Sequence, residues 1–155
     1  MRKKTVAACV SAMGAASALA VGGAVAHAAS SVPTEFIQFL SSDPNGNPVV
    51  VANGPIHTHG TDLALDAHHD RITFPKGTLL VRHSAVSQHA SFDRATCYGR
   101  QTESGTYTVN GGSGAYAKAS GRGIYRLVAQ FVGCSHTQPP KVFMLQIRAE
   151  GPLSF

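Results

Sequence analysis

Cysteine is scarce in this chain: three in 155 residues, with no Cys-x-x-Cys pair among them. That removes the commonest thiolate motifs for metal and redox chemistry. A G-x-S-x-G sequence is missing too, so nothing marks the strained elbow that exposes a serine nucleophile. Ser84, His83 and Asp93 can be assembled into a triad on paper, as in any serine-rich chain, and no nucleophile is assigned. No amphipathic stretch of helical length appears anywhere, which argues against an α or α/β fold. Charge is thin: Arg71, Lys76, Arg82, Arg94 and Arg100 are scattered singly and form no basic cluster, so nucleic acid is a poor candidate partner. Low-complexity linkers and tandem repeats are also lacking.

What is present begins with an export signal. Arg2, Lys3 and Lys4 form a basic head, Thr5 to Val25 is small and apolar, and Ala26-His27-Ala28 has the small-x-small pattern that a signal peptidase reads. The segment is rich in Ala and Gly rather than Leu, and no basic stop-transfer run follows it, so a cleaved signal over 1–28 is expected rather than a membrane anchor. Cys9 stands too close to Lys4 for a lipobox and leaves with the signal. The remaining 29–155 is one domain's length. Without Arg2, Lys3 and Lys4 there are ten Lys and Arg against eight acids, so the formal +5 falls to +2. In an exported chain the two surviving cysteines, Cys97 and Cys134, favour a disulfide.

The most structured stretch is Gly105 to Arg126. Thr106 to Val109 alternates polar with apolar, placing Tyr107 and Val109 on one face of a strand. Asn110-Gly111-Gly112 is expected to reverse the chain, since glycine and asparagine enter positive φ at little cost. A one-turn excursion follows, and from Gly123 the alternation resumes with Tyr125, Leu127, Ala129 and Phe131. This pattern argues for a curved antiparallel sheet closed into a barrel.

Elsewhere, Glu35 to Leu40 fits either a strand or a helical turn, and Asp43 to Pro48 is a loop of turn formers. Val49 to Val51 starts a strand that Asn53-Gly54-Pro55 breaks. Ile56 to Leu65 reads as extended, with Gly60 as a bulge or kink. Arg71 to Phe74 and Thr78 to His83 flank a turn at Pro75-Lys76-Gly77, and Leu79, Val81 and His83 share a face. Ser84 to Ala95 has no period and is expected to be a long loop, after which Thr96 to Gln101 carries Cys97 on a further strand. Gly133 to Pro140 is a loop, and Val142 to Glu150 turns Phe143, Leu145, Ile147 and Ala149 inward. About eight strands joined by Gly, Pro and Asn turns is the pattern of an all-β barrel or sandwich.

Gly105 to Arg126, with Gly54-Pro-Ile and Gly60-Thr-Asp62 upstream, resembles the allene oxide cyclase barrel-like and dirigent-like families over roughly 49–151. The shared elements are a strand ending in a Gly-Gly-x-Gly hinge, an aromatic and an alanine (Tyr116 and Ala119), then Gly-x-Gly and another strand. The resemblance implies an eight-stranded antiparallel barrel with an apolar cavity, commonly self-associating. Plant members act on oxylipins or steer phenoxy-radical coupling, and none of their functional residues transfers position by position.

Candidate sites follow from the remaining chemistry. His83, beside Leu79 and Val81, would put a polar group on an apolar barrel wall, where it orients a ligand or is satisfied as a core histidine. Tyr107 and Tyr125, on opposite sides of the hinge, would line the same cavity. His57 and His59 at i, i+2 project from one strand face, a two-ligand geometry that His68, His69, His83, His89 or His136 would have to complete; polar surface residues are the simpler account. Gly112-Ser-Gly114-Ala-Tyr-Ala117 spells a G-x-G-x-x-A fingerprint. But Gly121 and Gly123 end any helix within two turns, and Val132 stands where the acid belongs, so a dinucleotide is excluded.

The sequence therefore leads to a secreted, single-domain antiparallel eight-stranded β-barrel with one disulfide and no cofactor. It is expected to bind a small apolar molecule or to serve as an extracellular or envelope component, without catalysis. Self-association is expected from the resemblance, and no membrane span remains after cleavage. The alternatives are an isomerase or cyclase acting on a lipid-derived epoxide and a histidine-based metal-binding protein.

Overall fold

A computed structural model describes residues 31–155 apart from 136. The expected signal segment, Cys9 and His136 lie outside the described residues. Eight strands run as an antiparallel meander: β1 (Thr34–Ser41), β2 (Val49–Asn53), β3 (His57–Ala64), β4 (His69–Phe74), β5 (Gly77–Asp93), β6 (Tyr98–Gly112), β7 (Ser120–Val132) and β8 (Val142–Ser154). β8 returns to pair with β1, from Thr34 opposite Pro152 to Ser41 opposite Leu145, and the sheet closes into a barrel. The fold is all-β, and closure removes the unpaired edges that an open sheet of this size would expose.

Alternation decides which side chains go inside. Ile37 and Phe39, Val50 and Ala52, Ile72 and Phe74, Leu79 and Val81, and Tyr107 and Val109 are buried, each pair two residues apart on its strand. The predicted faces of Leu79, Val81, Tyr107 and Val109 are the faces observed. Glu35 to Leu40 forms β1 rather than a helical turn. Gly60 is neither bulge nor kink: it sits in unbroken register opposite Val50. The register shifts lie instead between β5 and β6, at Leu79/Val81 and Ala85/Ser87.

The hinge differs in detail from expectation. Asn110, Gly111 and Gly112 remain in β6, and the reversal is made by a single 3-10 turn, Gly114–Tyr116, entered through positive φ at Gly111 and Gly114. The turn carries Tyr116 across the end of the barrel. Its ring packs edge-on against Phe74 and Phe155, with centroids 6.0 and 5.1 Å away, above buried Ile56, Ala119 and Leu153. This end is filled. Glu35 is buried here as well; its Oε2 accepts the Ile56 N–H at 2.6 Å, while burial raises its carboxyl above the usual range.

The opposite end is built differently. β5 and β6 are far longer than β1 to β4, and Ser84 to Ala95 is not a loop. Ser84 to Asp93 continues β5 and pairs with β6 as far as Asp93 opposite Tyr98. The sequence shows no period there because the ribbon has passed beyond the barrel, and β5 is exposed on both faces from Ser84 onward. Without a core to face, nothing imposes alternation. At the tip, Cys97 lies in the turn before β6 rather than on it, at φ 57°. It is at bonding distance from Cys134 in the β7–β8 connection, with Cα atoms 5.0 Å apart.

Candidate functional site

Between the filled end and the projecting ribbon the barrel is hollow. A cavity of about 340 Å³ opens toward the β1–β2 loop, where Gly46, Asn47 and Pro48 form part of its rim. Two close approaches help to keep the lumen clear. Tyr107 faces Gly123 across the β6–β7 ladder and Tyr125 faces Gly105. Each ring lies against the backbone of its glycine, so that a Cβ on Gly123 would meet Tyr107 Cε1 at 2.7 Å and one on Gly105 would meet Tyr125 Cε1 at 2.6 Å. Lying along the wall, the rings do not fill the centre.

The cavity has two unlike sides. Ile37 and Phe39 of β1, Leu127 of β7, and Leu145, Ile147 and Ala149 of β8 make an apolar wall. On the other side Asp62 of β3, Asp70 of β4, His83 of β5 and Glu103 of β6, with Tyr107 and Tyr125, bring polar groups together among the apolar Ala64, Ile72, Val81 and Val109 of the same strands. His83 Nε2 stands 3.3 Å from Asp70 Oδ2, and its ring meets Tyr125 edge-on at 5.8 Å between centroids. The Tyr125 hydroxyl donates to Glu103 Oε1, and the Gln88 side-chain amide donates to Glu103 Oε2. Both Glu103 oxygens are thus engaged.

Asp62 is the exception. It is 7% exposed, and its Oδ1 has no hydrogen-bond partner among the described residues. Burial, and then the charge of neighbouring Asp70, push its carboxyl up to about 7. Near neutral pH it therefore exists both as a neutral acid that donates and as an anion that accepts. Burial raises Asp70 as well, against the pull of His83. Tyr107 is pushed up to about 12, by burial first and then by the charges of Glu35 and Glu150. Burial and the hydrogen bond to Glu103 hold the Tyr125 hydroxyl protonated. The wall thus offers tyrosine hydroxyls and one carboxyl, Asp62, able to move a proton near pH 7.

Of the residues singled out from sequence, His83, Tyr107 and Tyr125 come together on this cavity. His57 and His59 share the outer face of β3 and are exposed, and no third His, Cys, Asp or Glu joins them in a metal-holding group among the described residues. The three carboxyls were not singled out, although alternation marks them. Asp62 has the parity of buried Ile56, Asp70 that of Ile72 and Phe74, and Glu103 that of Tyr107 and Val109. A larger groove of about 620 Å³ runs outside the barrel past Phe36, Val51, Ile124, Arg126 and Arg148. Those five residues are all exposed, so the groove lacks the desolvated polar groups that make the lumen the better candidate.

Comparison with known protein families, with curated proteins and with solved structures finds no match for this chain. No helix among the described residues is long and apolar enough to cross a membrane.

Proposed function

We propose that this chain is a secreted β-barrel that takes one small, mainly apolar molecule into its lumen and holds the molecule's polar end against Asp62, Asp70 and His83. The observation that carries this reading is the two-sided cavity. One wall is aliphatic and aromatic, the other presents a few convergent polar groups, and a preformed cleft of that kind is the usual form of a small-molecule site. Eight strands enclose about the space that one such ligand needs. Secretion rests on the basic head, apolar run and small-x-small site at the start of the sequence, with the Cys97–Cys134 pair in keeping with an oxidising compartment.

Native mass spectrometry of the purified protein, before and after exposure to a lipid and small-metabolite extract, tests the reading. A retained mass that is lost on denaturation is expected. A bare mass under every condition, together with no displaceable binding of an apolar dye, would overturn it.

A second reading has a specific observation behind it. The His83–Asp70 pair lies beside a carboxyl that changes protonation near pH 7, an arrangement suited to general acid–base work. Together with the resemblance in Gly105 to Arg126, it supports an isomerase or cyclase acting on an unsaturated epoxide. Epoxide rearrangement followed by proton NMR, lost in His83→Ala and Asp62→Asn, would favour this reading. Turnover equal to the buffer blank would remove it.

A further inference from the structure

The charged groups that line the cavity are carboxyls, with one histidine among them. Asp62, Asp70 and Glu103 line it, no Lys or Arg does, and its sole basic group, His83, already stands 3.3 Å from Asp70. Glu103 has both oxygens occupied by Tyr125 and Gln88. That leaves Asp62, whose buried Oδ1 faces no donor among the described residues. A buried acceptor without a partner is costly, and a site built this way favours the ligand that supplies the missing donor.

We infer that the barrel selects an apolar amine, bound as its ammonium ion with a donor on Asp62, over the corresponding alcohol or carboxylate. This rests on the lumen being a ligand site, as proposed above, and adds the chemistry of the ligand's polar end. An ammonium group carries three donors and no acceptor, which matches an unpartnered carboxylate oxygen in a lumen lined by carboxyls. The tyrosine rings of the wall add faces that attract cations. A carboxylate ligand, the kind the oxylipin resemblance suggests, would bring a further carboxyl into a low-dielectric space that already holds three, with no Lys or Arg to receive it.

Binding is consequently linked to a proton. Asp62 releases its proton when the ammonium arrives, so amine affinity rises as pH climbs through about 7. The other titratable groups facing this position are Asp70, His83, Glu103, Tyr107 and Tyr125. At lower pH protonation of Asp70, whose carboxyl burial also raises, makes the wall less negative, in the same direction.

Isothermal titration of the exported protein with phenylbutylamine, phenylbutanol and phenylbutanoate tests the inference. At about pH 8 the amine is expected to bind at least about tenfold more tightly than the alcohol, with the carboxylate weakest. Asp62→Asn should cut the amine's affinity at least about tenfold and so shrink its advantage over the alcohol. Should that variant not fold, the wild-type protein still decides, because the amine-to-alcohol ratio must shrink toward one at about pH 5.5. Equal binding of amine and alcohol at about pH 8, or a preference for the carboxylate, overturns the amine inference and leaves the cavity reading standing. Failure of all three probes to bind overturns both.

Discussion

Tyr125 and Gly105 form a matched pair across the β6–β7 ladder: the ring occupies the space where any other residue would place its Cβ. The same ring holds Glu103 through its hydroxyl and meets His83 at its edge, so one backbone contact sets the positions of two polar groups on the cavity wall. Adding a methyl at Gly105 drives the ring into the lumen and strains the neighbouring Ser84 carbonyl. Gly105→Ala is expected to destabilise the fold by about 1–3 kcal/mol and to weaken ligand uptake more than that loss explains. Thermal melts read the first effect and dye titration at low temperature the second. A variant with wild-type melting and uptake would show that the pair is incidental.

A second expectation concerns pH. The folded-state pKa of Asp62, about 7, lies above the ordinary 3.8, so the native state holds a proton that the unfolded chain has lost. Stability contributed at this site is therefore full below about pH 4 and declines as pH rises to about 7. Asp62→Asn should flatten that part of the stability curve and raise stability by about 1–3 kcal/mol at about pH 8, with little effect at about pH 4. Glu35 and Asp70, also raised by burial, keep some slope in place. Urea unfolding at the two pH values measures the difference, and an equal change at both would rule out Asp62 as its source.

The lumen itself can be filled. Ala149 lies on the apolar wall between Ile37 of β1 and Tyr125 of β7, its partners on either side. Ala149→Trp should take up much of the cavity and abolish dye binding while the far-ultraviolet β-sheet spectrum persists. If the dye still binds with unchanged affinity, its site is elsewhere, and the outer groove becomes the next place to look.

The Cys97–Cys134 pair spans a sequence separation of 37 and ties the tip of the β5–β6 ribbon to the β7–β8 connection. By loop-closure entropy, removing it should lower stability by about 3 to 4 kcal/mol. Comparing urea midpoints for the oxidised protein and for Cys97→Ser/Cys134→Ser checks this, and coincident midpoints would mean that the tip unfolds independently of the barrel.

Where a core exists, the chain was legible. Leu79, Val81 and His83, then Tyr107 and Val109, and finally Leu145, Ile147 and Ala149 each follow the period of two that a half-buried strand enforces; Leu79 packs in the core and the others line the lumen. Ser84 to Asp93 was illegible for the converse reason. Its pairing with β6 is continuous apart from a register shift, but neither face is buried, so its strand character rests on backbone hydrogen bonds that any sequence can make. The carboxyls were a different omission. Asp62, Asp70 and Glu103 sit on inward parity, but an acid on an inward position reads as an interruption until the hollow that receives it is known. The reversal expected at Asn110-Gly111-Gly112 and the one observed at Gly114–Tyr116 differ by a few residues because Gly111 and Gly112 are glycines for different reasons, the one for positive φ and the other because the Thr78 carbonyl approaches it.

The pairing of β1 with β8 has a consequence for how the molecule comes into being. The first strand stays half-paired until the last has been made and delivered, a wait of roughly a hundred residues of chain. Contacts so distant in sequence make closure a late and slow event. Until then, β1 and β7 each present an unsatisfied row of amides and carbonyls to whatever is nearby. If the chain is secreted, as proposed above, and crosses the membrane unfolded, that interval falls on the far side, where the capacity of the surroundings to keep neighbouring copies apart sets the yield of closed barrels.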